Sequence, residues 1–215
     1  TSEVERALTR HQVQRLVLTE PGEWRIQAMI ENWSHKFGLP VDMRSDHRFF
    51  ASKQRFKEWA KGRRSWRMEH FYREMRRETQ FLMVGDQPEG GIWNFGAQNR
   101  MSLPTDAFFP KRLRFEPDST TREVMDLVAQ RFGDHFGKLD TFSWPVTRVQ
   151  ALVVLQDFIA NSLQWFGDYQ DSMKSDETFL YHSLLAPSLN LGLLSPRVVC
   201  AAVEDAWRAD RIPIN

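Results

Sequence analysis

Gln14-Arg-Leu-Val-Leu-Thr19, the turn Glu20-Pro-Gly22, the stretch 23–37, Gly38 and Pro40-Val-Asp-Met-Arg44 decide the fold. Residues 14–19 are β-branched and apolar, the signature of a buried strand. Pro21 and Gly22 break that strand. Trp24, Ile26, Met29, Ile30, Trp33 and Phe37 then recur near helical spacing, and Gly38 stands where a left-handed C′ residue ends a helix. Pro40–Arg44 reads as a second strand. Residues 2–11 precede all this as a helix. Helix, strand, helix, strand predicts neighbouring parallel strands in an α/β layer. Ligands of such sheets bind beyond the carboxyl ends of the strands. Thr19–Arg25 and Arg44–His47 are therefore either site positions or plain connecting loops.

Further along, Ser52 can cap a helix from Lys53 to about Lys61, and the pattern predicts a long helix from Ser65 to Val84. The grammar then changes. Residues 86–118 hold many Pro, Gly and Asn without a period, which marks a linker or a functional loop. After Ser119 the pattern is helical. Thr120 or Thr121 can cap a helix to Phe132. Thr147 with Gln150 forms a capping box, and Ser195-Pro196 is an N-cap followed by Pro at N1. No strand-like alternation follows Leu113. The fold class predicted is an α/β N-terminal part with a parallel sheet over 1–85, a linker over 86–118 and an all-α part over 119–215.

The 215 residues are 41% hydrophobic and 27% charged, the composition of a soluble globular protein. No apolar run is long enough to span a bilayer, and no signal-peptide pattern opens the chain, so no membrane is expected as a partner. The start Thr1-Ser-Glu-Val-Glu-Arg6 lacks an initiator Met and reads as mid-helix, which predicts an excised segment. One cysteine, Cys200, excludes an internal disulfide and an all-cysteine metal site within these residues. Its apolar helical setting makes it a core residue, and a reducing cytoplasm is the compartment expected.

Net charge is +1, but its distribution is uneven. Between Lys53 and Arg77 ten basic residues face three acids, a local excess of +7. That stretch reads equally as a phosphate-facing surface and as a solvated helix face. Trp59, Trp66, Phe71 and Tyr72 are interleaved at the spacing of a packed helix face rather than of base-stacking platforms. No Walker loop, G-x-G-x-x-G, H-E-x-x-H or G-x-S-x-G is present, and no two of the six histidines stand at metal-ligand spacing.

Two further segments carry chemistry. Phe166-Gly-Asp-Tyr-Gln-Asp171 is followed by His182-Ser-Leu-Leu-Ala-Pro-Ser-Leu-Asn-Leu-Gly-Leu-Leu-Ser-Pro-Arg197. Backbone N–H groups at a helix start, with the Ser183 hydroxyl, can hold a phosphate. The second segment resembles the flavin diphosphate stretch of photolyases and cryptochromes, T-S-x-L-S-P-x-L-x-x-G-x-L-S-P-R. His182 replaces the first Thr and Ala186 the second Ser, so a side-chain contact is lost at Ala186 while backbone contacts remain.

Arg67-Met-Glu-His-Phe-Tyr-Arg-Glu-Met-Arg-Arg77, Thr19-Glu-Pro-Gly-Glu-Trp-Arg25, Gly85-Asp-Gln-Pro-Glu-Gly-Gly-Ile-Trp-Asn-Phe95, Trp144-Pro-Val-Thr-Arg148 and Gly167–Asp171 are similar to one branch. That branch is the iron–sulfur bacterial cryptochromes and (6-4) photolyases, and the likeness covers essentially the whole chain. Its usual W-N-F-D-A-E-N-R is altered here, with Gly96 and Gln98 in place of the two acids; if those acids order the loop, it is looser in this chain.

The resemblance implies the end of an antenna domain joined to the start of an FAD-binding helical domain. It implies FAD contacts at Tyr169, His182, Ser183, Leu184, Leu185 and Ala186. It also implies a 6,7-dimethyl-8-ribityllumazine antenna and an iron–sulfur cluster whose cysteines lie outside these residues. The activity implied for a longer parent is light-driven repair of (6-4) photoproducts by a monomer acting on UV-damaged DNA, the fragment alone being inactive. A blue-light photoreceptor that signals without repair shares every residue named, and a scaffold that has lost flavin is the third reading.

Overall fold

A computed structural model describes residues 2–215, apart from the side chain of Gln98. The departure at Gln98 therefore lies outside the described side chains. Two compact units result, one up to Phe71 and one from Tyr72 to Asn215.

In the first unit, α1 (Ser2–His11) carries Glu3 and Glu5 in its first turn and Arg10 and His11 in its last, which suits the helix dipole. Strands β1 (Leu16–Thr19) and β2 (Val41–Arg44) pair in parallel, with Leu16 opposite Val41 and Thr19 opposite Arg44. The parallel pair is the one the sequence predicts. The buried strand is not: β1 alternates half-buried and exposed residues, and Val17 is 45% exposed. A sheet of two strands leaves one face uncovered, so alternation replaces full burial.

The single helix expected over 23–37 is two, α2 (Trp24–Glu31) and α3 (Trp33–Phe37), with the break at Asn32. Asn side chains compete for backbone groups and weaken a helix interior, and the Asn32 N–H reaches Ala28 O at a long 3.4 Å. Gly38 caps α3 with φ 65°, its N–H donating to Ser34 O.

Ser52 Oγ accepts from Arg55 N and opens α4 (Lys53–Ala60). Phe56 and Trp59 of α4 meet Phe71 of α5 (Met68–Thr79), with ring centroids 5.0–5.5 Å apart, and Trp59 and Phe71 are buried. The aromatic residues thus form a packed face.

The helix predicted to reach Val84 stops at Thr79. Gln80 and Leu82 adopt positive φ (62° and 49°). Arg76 donates through Nε to Phe81 O at 3.3 Å and through Nη2 to Leu82 O, pulling the chain back over the helix end. A two-residue hairpin, β3 (Met83–Val84) with β4 (Gln87–Pro88), follows around Gly85 at φ 58°.

In the second unit the irregular stretch is stitched down at several points. Tyr181 Oη donates to Phe108 O at 3.0 Å, Phe115 N–H donates to Ser143 O at 3.2 Å, and Leu82 N–H donates to a Glu204 carboxylate oxygen at 3.0 Å. Helix α6 (Ser119–Phe132) is capped by Asp118 rather than Thr120 or Thr121, because the Asp118 carboxylate accepts from Thr121 N–H at 2.8 Å. α7 (Arg148–Asn161) begins at Thr147, whose Oγ1 accepts from Gln150 N–H. Gln150 Oε1 reaches back to Val146 N–H, one residue beyond the partner a capping box uses. α8 (Leu163–Tyr169), α9 (Ala186–Asn190) and α10 (Pro196–Arg208) complete the unit, with Ser195 and Pro196 capping α10 as predicted. Ala151, Leu155, Phe158, Leu163, Leu185, Leu194 and Ala206 form its core. The architecture is mixed α/β with mostly helical content, and the sheet is confined to short strands.

Candidate functional site

The loop between α8 and α9 turns on two left-handed leucines, Leu180 (φ 44°) and Leu184 (φ 55°). Such a conformation is costly for a leucine and persists only where packing enforces it. Buried Leu180, Tyr181 and Leu185 supply that packing. Between the two leucines the backbone closes a turn, His182 N–H donating to Phe179 O at 3.0 Å. The turn presents His182 and Ser183 outward.

His182, Ser183 and Leu184 line a crevice together with Lys111, Arg112, Trp144, Asp157 and Phe179. Its volume is about 30 Å³, room for one or two water-sized groups, and it opens to solvent. The Arg112 guanidinium lies 4.3 Å from the Trp144 ring centroid and 5.4 Å from that of Phe179. Its Nη2 donates to Ser143 Oγ. Burial, and then the Arg114 cation, push the Arg112 pKa down. Asp157, the carboxylate of the crevice, accepts from Asn161 Nδ2 at 2.9 Å.

The six predicted flavin contacts divide. His182, Ser183 and Leu184 come together at the crevice. Leu185 is 2% exposed and belongs to the core. Ala186 is exposed at the start of α9. Tyr169 is buried, its ring 5.6 Å from that of Tyr181, outside the crevice. Burial and Tyr169 raise the Tyr181 pKa, so Tyr181 keeps the proton it donates to Phe108 O. Helix α9 has only five residues, with Pro187 in its first turn, so its dipole adds little. Lys111 and Arg112 are the cations that sequence reasoning missed: they sit in an aperiodic stretch, and no local signal marks them.

The loop after β1 is held by a different cation. Lys53 Nζ donates to Pro21 O at 2.6 Å and to Gln27 Oε1 at 2.9 Å, and lies 3.3 Å from Glu20. Other members of the basic stretch are used on aromatic faces. The guanidiniums of Arg73, Arg76 and Arg77 lie 4.6–5.7 Å from the Trp93 ring centroid, and that of Arg63 lies 4.7 Å from Trp59. Burial, with Glu204 next, raises the Cys200 thiol, which suits a core residue. Among the described residues no group of three or more His, Cys, Asp or Glu gathers where a metal ion could sit, and no helix is long and apolar enough to cross a membrane.

Residues 1–144, two-thirds of the chain, match the family described as deoxyribodipyrimidine photo-lyase-related protein. The chain belongs to this family. It is similar to a (6-4) photolyase of Agrobacterium fabrum, with 46% identity over 215 residues, 100% of this chain and 42% of the relative. It is also similar to an uncharacterized protein of Acanthamoeba polyphaga mimivirus, with 41% identity over 39 residues, 18% of this chain and 30% of the relative. The chain thus spans less than half the length of the photolyase it matches. The crevice takes Lys111, Arg112 and Trp144 from the family segment and Asp157, Phe179 and His182–Leu184 from beyond it, and the photolyase match covers both parts.

Proposed function

We propose that the whole protein, of which this chain forms a part, repairs (6-4) photoproducts in DNA under blue light, with reduced FAD as the electron donor. Identity of 46% with a (6-4) photolyase along all 215 residues carries this reading. Flavin supplies the photoexcited electron when bound; the protein positions it. The lesion is read as a base flipped from the duplex, since a damaged pair is cheap to unstack.

The residues present fit the phosphate part of such a cofactor. Ser183 offers a hydroxyl, His182 a ring nitrogen, and Lys111 and Arg112 positive charge, all at one crevice. We assign His182, Ser183 and Leu184 to the diphosphate. Leu185 and Tyr169 support that loop from the core, and Ala186 contributes backbone only.

The lumazine antenna and the iron–sulfur cluster belong to the same proposal, the cluster with cysteines outside these residues. Cys200 is this chain's sole cysteine and its thiol is raised by burial, which does not fit a cluster ligand.

The test uses the full-length protein with lesion-bearing DNA under blue light. Light-dependent loss of the (6-4) lesion is expected. No repair alongside an intact flavin photocycle would overturn the reading in favour of a photoreceptor, and purified protein without flavin absorbance would overturn the cofactor assignment. Ser183→Asp places a carboxylate against the diphosphate and should expel flavin.

A further inference from the structure

Arg112 stands apart from the other arginines of the second unit. It is half-buried beside Trp144 and Phe179, and among the described residues its one hydrogen bond goes to a neutral hydroxyl, Ser143 Oγ. Among the described residues no carboxylate forms an ion pair with Arg112, Lys111 or Arg114. A partly desolvated guanidinium without a counter-charge is unfavourable, and a second cation beside it adds repulsion. Asp157 of the same crevice accepts from Asn161 Nδ2 at 2.9 Å and, among the described residues, forms no ion pair with Arg112.

The nearby Trp144 and Phe179 rings and the bond to Ser143 restrict the guanidinium, and a planar fork so held suits a bidentate oxyanion. The same crevice is lined by the turn of His182 and Ser183, held between the strained Leu180 and Leu184. Backbone outliers of this kind gather at ligand clamps.

We propose that Arg112 is an anion-binding residue of the flavin site, its guanidinium holding a diphosphate oxygen in the crevice it shares with Ser183. This rests on the FAD reading above and adds a contact from the loop 110–113, which the flavin-binding sequence pattern does not contain. Lys111 and Arg114 contribute field.

The experiment compares full-length wild type, Arg112→Gln and Arg112→Lys for dissociation of FAD and of riboflavin, followed by flavin fluorescence on release. Loss of one charge-assisted hydrogen-bond pair weakens FAD binding by roughly tenfold or more in Arg112→Gln. Riboflavin, which lacks phosphate, should bind wild type and variant alike. Arg112→Lys should fall between the two, since charge is kept and the fork is lost. Raising salt should narrow the gap between wild type and Arg112→Gln.

Equal FAD affinity in folded wild type and Arg112→Gln would overturn the assignment while leaving the FAD reading intact. Absence of FAD binding by wild type would overturn that reading itself. Unchanged FAD affinity with weakened DNA binding would reassign the cation to a nucleic-acid phosphate and overturn the proposal. Should Arg112→Gln fail to fold, Arg112→Lys carries the same comparison, and a fully wild-type FAD affinity there would count against the bidentate contact.

Discussion

Asn99 and Asp171 bond reciprocally: Asn99 Nδ2 donates to Asp171 Oδ2 at 2.8 Å, and the Asp171 N–H donates to Asn99 O at 3.1 Å. Around them Met101 N–H donates to Asp168 O at 3.0 Å, and Ser172 Oγ donates to Met101 O at 2.8 Å. The two segments so joined are those the sequence marks separately, Trp93–Arg100 and Gly167–Asp171. Replacing acids by Gly96 and Gln98 leaves this seam in place. Asp171→Ala removes the side-chain half of the pair and the Arg100 contact at 3.5 Å. Because the carboxylate is 45% exposed, the loss should be about 1 kcal/mol or less, seen as a lower urea midpoint with unchanged slope. Limited proteolysis between residues 96 and 105 should quicken. An unaltered cleavage rate would mean that the backbone bonds alone hold the loop.

What was legible in advance follows from where each determinant lies. Ser52, Thr147 and the Ser195-Pro196 pair act within three residues of themselves, so their helix starts can be read locally. Parallel pairing of β1 and β2 follows from the order of elements. By contrast, α5 ends where Arg76 finds carbonyls five and six residues on, and Phe81–Val84 looks apolar enough to continue the helix. At the site, His182–Leu184 are recognisable through their likeness to a flavin-binding stretch. Lys111, Arg112 and Trp144 reach the same crevice only through tertiary folding of an aperiodic segment. Tyr169 has the right sequence neighbours but turns into the aromatic packing around Tyr181.

Ser188 offers a test of core packing. It is 1% exposed and its Oγ has no hydrogen-bond partner among the described residues, while its carbonyl accepts from Leu194 N–H at 3.1 Å. A buried unsatisfied hydroxyl is destabilising, so Ser188→Ala should be neutral or raise stability by up to about 1 kcal/mol. The neighbouring core change Leu155→Ala should cost roughly 2–5 kcal/mol. Chemical denaturation measures both. A loss above 1 kcal/mol in Ser188→Ala would show that the hydroxyl is bonded after all.

Gly38 isolates a backbone effect. A Cβ built there meets nothing within 4 Å, so substitution introduces no clash. Its φ of 65° nevertheless disfavours any L side chain. Gly38→Ala should cost about 1 kcal/mol, and Gly38→Asn less, since Asn tolerates the left-handed region. Thermal melts of the three proteins give the order directly; equal midpoints would contradict a left-handed cap at this position.

Asp118 carries the pH dependence. Its carboxylate accepts from the Thr121 N–H at the start of α6, and that hydrogen bond, backbone first, holds its pKa below the usual carboxylate value of 3.8. A folded pKa below the unfolded one means that the unfolded state binds its proton first as pH falls. The cap therefore contributes fully above the unfolded value and is lost as pH drops from about 3.8 through the folded pKa. Asp118→Asn keeps a capping oxygen but does not titrate. Wild type should thus be the more stable above pH 5, through the favourable interaction of the carboxylate with the helix N-terminus. The difference should shrink as pH falls below about 3.8 and Asp118 takes up its proton. Urea denaturation of the two proteins across pH 2.5–6 measures it. A difference independent of pH over that range would show that the Asp118 charge plays no part in holding α6.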